Sequence, residues 1–233
     1  MIKLSRLYSN KKEIFPDIEF HDGLNVIFAS VSKHIDNKSS HSLGKTTLVD
    51  VIDFCFLKQI SKKHIFKNNR FVEFVFFLEI QCSVDKYVTV RRPVSGKISI
   101  IIRSEPFRFA AEDVSDWDHQ DLAFKNAKDE LNRLICPGNV RASGFGYRNG
   151  LRYCLRKQTQ YENTFKVNNS RESDSSWAPY LASIIGINSQ TVQDKYEANK
   201  RVESIKSAIK EVNNLPSERV KVLPIVKTKK LTF

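Results

Sequence analysis

The sequence predicts an α/β fold organised around a phosphate-binding loop. Residues 39–48 read S-S-H-S-L-G-K-T-T-L, close to the pattern G-x-x-x-x-G-K-S/T, with Ser39 in place of the first glycine. An apolar, β-branched run, G-L-N-V-I-F-A-S from Gly23 to Ser30, precedes the loop. A stretch of helical length without Gly or Pro, Lys45 to Gln59, follows it. Strand, polar loop and buried helix in that order are the setting in which this motif works.

Each residue of the motif has a physical task. A phosphate cradle needs backbone N–H groups converging on the anion, a lysine reaching the outer phosphates and a hydroxyl on the metal. Gly44 lets the backbone approach, Lys45 supplies charge, and Thr46 is the candidate Mg²⁺ ligand. Thr47 lies in the first turn of the helix, where N–H groups and dipole favour anions. Ser39, Ser40, His41, Ser42 and Leu43 complete the loop. Serine at 39 is costly where φ must be positive, but it removes no group that touches phosphate. His41 is either a phosphate contact or a solvated loop histidine.

The other elements follow from periodicity. Residues 2–8 alternate apolar and polar, an N-terminal strand. Glu13 to Phe20 predict a second strand, with Pro16 confining it to an edge or a bulge. The run 24–30 predicts a buried third strand and 31–44 a long polar loop. In the helix that follows, Leu48, Val49, Val51, Ile52, Phe54, Cys55, Phe56 and Leu57 nearly circle the axis, as in a core helix. Phe71–Gln81, Tyr87–Arg92 and Lys97–Arg103 predict three strands joined by short turns, an antiparallel meander. On the first of these, Glu79 is expected on the solvent side of a half-buried strand. The pattern turns helical over Asp121–Ile135 and is stopped by C-P-G-N at 136–139. A-S-G-F-G at 142–146 reads as a flexible turn. A basic segment at 146–158 precedes a helix near Trp177–Ile185. Gln190–Val212 predicts a polar helix with an apolar stripe, Val202, Ile205, Ile209 and Val212, either a coiled-coil base or a surface helix. Residues 214–233 end the chain as a strand-like or irregular basic tail.

Composition narrows the function classes. A net charge of +12 points to a polyanionic partner. Between 137 and 171, Arg141, Arg148, Arg152, Arg156, Lys157, Lys166 and Arg171 face only Glu162 in sequence. Interleaved with Phe145, Tyr147 and Tyr153, this cluster suits a phosphate backbone, the nucleotide site or an acidic partner. Cys55, Cys82, Cys136 and Cys154 are scattered without a C-x-x-C, as free thiols of a reducing compartment would be. No metal-ligand spacing occurs among them. Lys3, Arg6, Lys11 and Lys12 interrupt the first dozen residues, and no run reaches membrane-spanning length, so a cytoplasmic protein without a membrane partner is expected.

The order of elements, with L-G-K-T-T-L, G-L-N-V-I and L-R-Y-C-L-R-K-Q (151–158), resembles the N-terminal lobe of SMC, RecF and RecN-type ABC ATPase heads. It looks most like the SMC-like ATPases of bacterial three-component ABC conflict systems, over roughly residues 2–212. The resemblance implies a P-loop NTPase half-head with an antiparallel β-meander subdomain over 1–187. The start of a helical, coiled-coil arm follows at 188–213, then the tail 214–233. It implies ATP and Mg²⁺ as cofactors, with Gln158 contacting the metal and the attacking water; Gln160 is the competitor for that role. Asn10, with Lys11 and Lys12, occupies the turn that touches nucleotide in the family, and a solvated turn is the alternative. The acidic pair, the S-G-G signature and the switch histidine of such ATPases have no match here, so the chain reads as half of a head, a fragment or a truncated relative. Hydrolysis then requires a C-terminal lobe or a second copy as partner. DNA and other subunits of a defence complex are further implied partners, in repair or anti-phage defence. Two other classes stay open: a P-loop small-molecule kinase, and a basic nucleic-acid-binding module with a degenerate loop. Kinases of that kind open on the phosphate-loop strand and continue with parallel βαβ units, unlike this order of elements.

Overall fold

The computed structural model describes residues 2–27, 45–62, 64–107, 114–157, 160–161, 163–167 and 171–214. They form a mixed α/β structure in two compact units, Met1–Glu172 and Ser173–Phe233.

The first unit is built on a six-stranded sheet. Its strands are β1 (Lys3–Ser9), β2 (Ile18–Glu19), β3 (Val75–Ser83), β4 (Lys86–Pro93), β5 (Ile98–Arg103) and β6 (His119–Leu122). They lie in the order β2-β1-β3-β4-β5-β6, and every pairing is antiparallel. The meander β3–β4–β5 is the one that period-2 alternation predicts. Register places Leu78 between Leu7 and Val90, and Phe77 between Tyr8 and Arg91. Because side chains alternate along a strand, Phe76, Leu78 and Ile80 share one face with Val88, Val90 and Arg92.

That face is covered by helix α1 (Lys45–Cys55), which packs on β3 and β4. Val51, Phe54 and Cys55 are at most 1% exposed, as expected for a helix apolar nearly all round. Phe54, Phe66 and Phe76 meet at ring-centroid distances of 4.7 to 6.0 Å in tilted or edge-on contacts. The helix ends at Cys55 and not near Gln59, and Leu57 turns out of it with a positive φ of 56°. Helices α2 (Phe124–Ile135), α3 (Gly138–Ala142) and α4 (Tyr147–Cys154) follow β6. Residues 121–122, expected in the helix, instead finish β6.

The opposite face of the sheet is covered too, which corrects the half-buried strand expected at 71–81. Tyr8, Phe77, Ile101 and Trp117 form a second apolar cluster, joined by Val75, Phe107 and Val114. Tyr8 and Phe77 stack at 4.9 Å. Glu79, on this face, is therefore not solvent-side but 1% exposed. Its carboxylate accepts from Ser5 Oγ at 2.5 Å and from the Phe107 N–H. Burial raises its pKa above the ordinary carboxylate value, opposed by those two bonds and by Arg6. An acid raised in the folded state favours the protonated native form, so this stabilisation is present below the unfolded value and lost as pH rises through the folded one. Glu79→Gln is thus expected to match or exceed the parent at pH 8 and to lose that advantage near pH 4.5. Its amide oxygen still accepts from Phe107 N, and its NH₂ donates to Ser5. Urea midpoints at the two pH values check this; a variant weaker at pH 8 than at pH 4.5, relative to the parent, would contradict it.

Two further expectations are corrected. The strand predicted over 13–20 shrinks to Ile18–Glu19, because residues 11–15 fold into a turn with the Ile14 and Phe15 N–H groups donating to Lys11 O. The described part of the run 24–30 is not a buried strand. Leu24, Val26 and Ile27 are 91%, 75% and 47% exposed, and no strand pairs with them. β1 already has β2 and β3 on its two sides, so the sheet offers this run no edge there. The Asn25 side chain instead closes a loop onto His21 and Gly23, which has φ +86°.

The second unit contains α5 (Ala178–Ile184) and α6 (Ser189–Asn213), packed on each other. Gly186, at φ +81°, ends the first, and the Asn188 side chain caps the second by accepting from Gln190 and Thr191 N–H. At 25 residues α6 is about 38 Å long. Its stripe, Val202, Ile205, Ile209 and Val212, is exposed. The tail 215–233 lies outside the described residues.

Candidate functional site

The site begins at the N-terminus of α1. Lys45 is its first residue, Thr46 is exposed in the first turn, and Thr47 is half-buried beside it. Ser39, Ser40, His41, Ser42, Leu43 and Gly44 lie outside the described residues, as does Gln158. What the structure describes is the frame that holds α1.

The C-terminal end of the helix is bolted down by three donors. Arg92, on β4, is only 5% exposed; its guanidinium donates to Phe54 O and, at 2.8 Å, to Lys58 O. The same group lies over the Phe54 ring at 3.8 Å and the Phe124 ring at 5.2 Å. Tyr147 Oη and Arg148 Nη1 both donate to Phe56 O, at 2.9 and 3.1 Å. These carbonyls lie at and just beyond the C-terminal end of α1, where Phe54 O also accepts from the Leu57 N–H, and cations there oppose the negative end of the dipole. Burial lowers the Arg92 pKa to about 10, so it stays charged near neutrality. Burial also pushes the Cys55 thiol up to about 12 and raises Tyr147, so neither ionises there.

The polar face of α1 is held by ion pairs. Asp53 accepts from Lys58 at 2.5 Å and Arg148 at 2.7 Å, and Asp50 pairs with Lys157 at 2.7 Å. Asp50 stands one helical turn, about 6 Å, beyond Thr46, and Lys157 is the residue before Gln158. The ion pair therefore ties the segment that carries Gln158 to the second turn of α1.

Gln160 is accounted for separately. Its Oε1 accepts from Lys157 N at 2.8 Å, and its Nε2 donates to Val167 O at 3.3 Å. With both ends of its amide engaged, a metal contact from Gln160 would compete with those bonds. Asn10 is likewise engaged at both ends: Oδ1 accepts from Val75 N at 2.8 Å, and Nδ2 donates to Glu73 O at 3.0 Å. Lys11 pairs with Glu73 at 3.0 Å. This turn clasps the end of the β1–β3 pair, and a nucleotide contact from Asn10 would compete with those bonds.

The basic cluster of 137–171 is more neutralised than its sequence suggests. Arg148, Lys157 and Arg152 each meet a carboxylate, Asp53, Asp50 and Glu172 respectively. Arg156 donates to Tyr153 O and Thr164 O and lies near the Tyr153 and Tyr161 rings. Sequence reasoning missed these partners because Asp50 and Asp53 stand some hundred residues upstream.

Among the described residues no group of three or more His, Cys, Asp or Glu is placed to hold a metal ion, and no helix is long and apolar enough to cross a membrane. The four cysteines are free thiols. Comparison with protein-family models, with curated proteins and with solved structures found no match.

Proposed function

We propose that the chain is the nucleotide-binding lobe of an SMC-like, ABC-type ATPase, with Mg·ATP held at the N-terminus of α1. In this reading Gly44, Lys45, Thr46 and Thr47 would cradle the phosphates, and the Thr46 hydroxyl and Gln158 would hold Mg²⁺. The observation that carries it is the Asp50–Lys157 ion pair, which joins the residue before Gln158 to a side chain one turn beyond Thr46. The all-antiparallel order of the sheet supports this over a small-molecule kinase, whose core is built from parallel βαβ units.

The bound metal ion would neutralise developing charge on the transferred phosphoryl group. The chain itself binds and orients; Glu79, the acid that follows the apolar run at 74–78, lies mid-strand in β3 and is engaged by Ser5 and Phe107 in a buried setting away from α1. Hydrolysis therefore awaits a C-terminal lobe or a second copy, and the α6 stripe is the base of a coiled-coil arm leaving the lobe. DNA and the subunits of a defence complex are partners on the same reading. Hydrogen exchange tests it: Mg·ATP should slow the amides in the first turn of α1 while the isolated chain shows negligible turnover. Unchanged exchange there at saturating Mg·ATP, or robust turnover by the chain alone, would contradict it.

A further inference from the structure

A cavity of about 200 Å³ lies between α1, α4 and residues 157, 160 and 167. Lys58, Arg148, Arg152 and Lys157 line it together with Asp53, and Gln160 and aliphatic side chains close the rest. Four cations here meet three carboxylates. Asp53 is shared by Lys58 and Arg148, Asp50 serves Lys157, and Glu172 serves Arg152 at 2.6 Å. Among these described groups one positive charge is in excess. Arg152 Nε is buried and has no hydrogen-bond partner, and a buried donor left unpaired is destabilising unless something accepts from it. The negative end of α1 does not oppose an anion here, because Arg92, Tyr147 and Arg148 already cap its carbonyls.

We infer that this cavity binds one phosphate-sized oxyanion, either inorganic phosphate or the phosphate of a phosphomonoester. Arg152 is the chief donor, because a guanidinium presents its N–H groups in a fork that matches an oxyanion. Arg148 and Lys58, which bind the two oxygens of Asp53, each carry further N–H donors to turn toward the anion. The space admits the anion and a few waters, each water taking roughly 30 Å³. The site is distinct from the candidate nucleotide site: Asp53 stands two turns beyond Lys45 along α1, and the inference holds whether or not ATP binds there.

The test is calorimetric titration of the whole chain, without nucleotide, with sodium phosphate and separately with glycerol 3-phosphate. Saturable binding is expected. Arg152→Gln should weaken it at least about tenfold, the effect of losing one charge-assisted bond. Asp53→Asn, which removes the carboxylate that competes with the anion, should tighten it on the order of five-fold. Saturable binding at the cavity should persist in Lys45→Ala, in which the phosphate loop no longer contributes. Whichever ligand binds more tightly identifies the source of the phosphate. Should Arg152→Gln fail to fold by circular dichroism, the gain in Asp53→Asn decides. Three results would overturn the inference: no saturable binding, weak binding that every variant shares (an adventitious ion only), or binding lost in Lys45→Ala.

Discussion

Replacing Arg92 with alanine should destabilise the first unit by about 4 kcal/mol, the sum of a lost charged donor pair and the space it leaves. The expectation rests on what the guanidinium touches. Lys58 O has no other described hydrogen-bond partner, and Phe54 O, which also accepts from the Leu57 N–H at 2.9 Å, loses its charged donor at the same time. The Phe54 and Phe124 rings lose the plane that lies over them. For a domain of this size that is a fall of roughly 10 °C in melting temperature. Arg92→Lys should recover less than half of the loss, since one ammonium cannot replace a fork that reaches two carbonyls. Thermal or urea unfolding followed by circular dichroism checks it. An alanine variant within about 1 kcal/mol of the parent would show that α1 is held mainly by its apolar face.

Arg92 also shows where sequence reasoning stops. The alternation that reveals β4 treats Arg92 as a polar residue at a strand end, whereas register puts it on the buried face opposite Phe76. Its partners are backbone carbonyls 34 and 38 residues upstream, which composition does not reveal. Glu79 is a second instance. A strand that alternates apolar and polar reads as half-exposed, but Phe107, Val114 and Trp117, from a stretch without periodicity, cover its second face. The run at 24–27 misleads in the opposite sense: its apolar, β-branched residues stay exposed and pair with no described strand, and β1 is already paired on both sides. By contrast, the meander, α1 and α6 were legible because each rests on a local period that packing did not override. At the candidate site the L-G-K-T-T-L motif marks the start of α1, and the Asp50–Lys157 tie was invisible because it joins residues 107 apart in the chain.

Lys45→Ala is expected to remove Mg·ATP binding almost completely. In a phosphate loop the lysine makes charge-assisted bonds to the outer phosphates, each worth about 1.5–3 kcal/mol. Losing two such bonds weakens affinity by roughly two orders of magnitude or more. Alanine is a good helix former, and Lys45 opens α1 at the end away from the Arg92 and Tyr147 anchors, so the fold should survive the change. Thr46→Ala should weaken binding in the presence of Mg²⁺ and change it little without the metal, which separates its role from that of the lysine.

Calorimetric titration of the chain and of Lys45→Ala with Mg·ATP, with folding of both verified by circular dichroism, tests the central claim most directly. Saturable one-site binding by the parent and none measurable by the variant are expected. Equal affinity in the two proteins, or no binding by the parent, would contradict it.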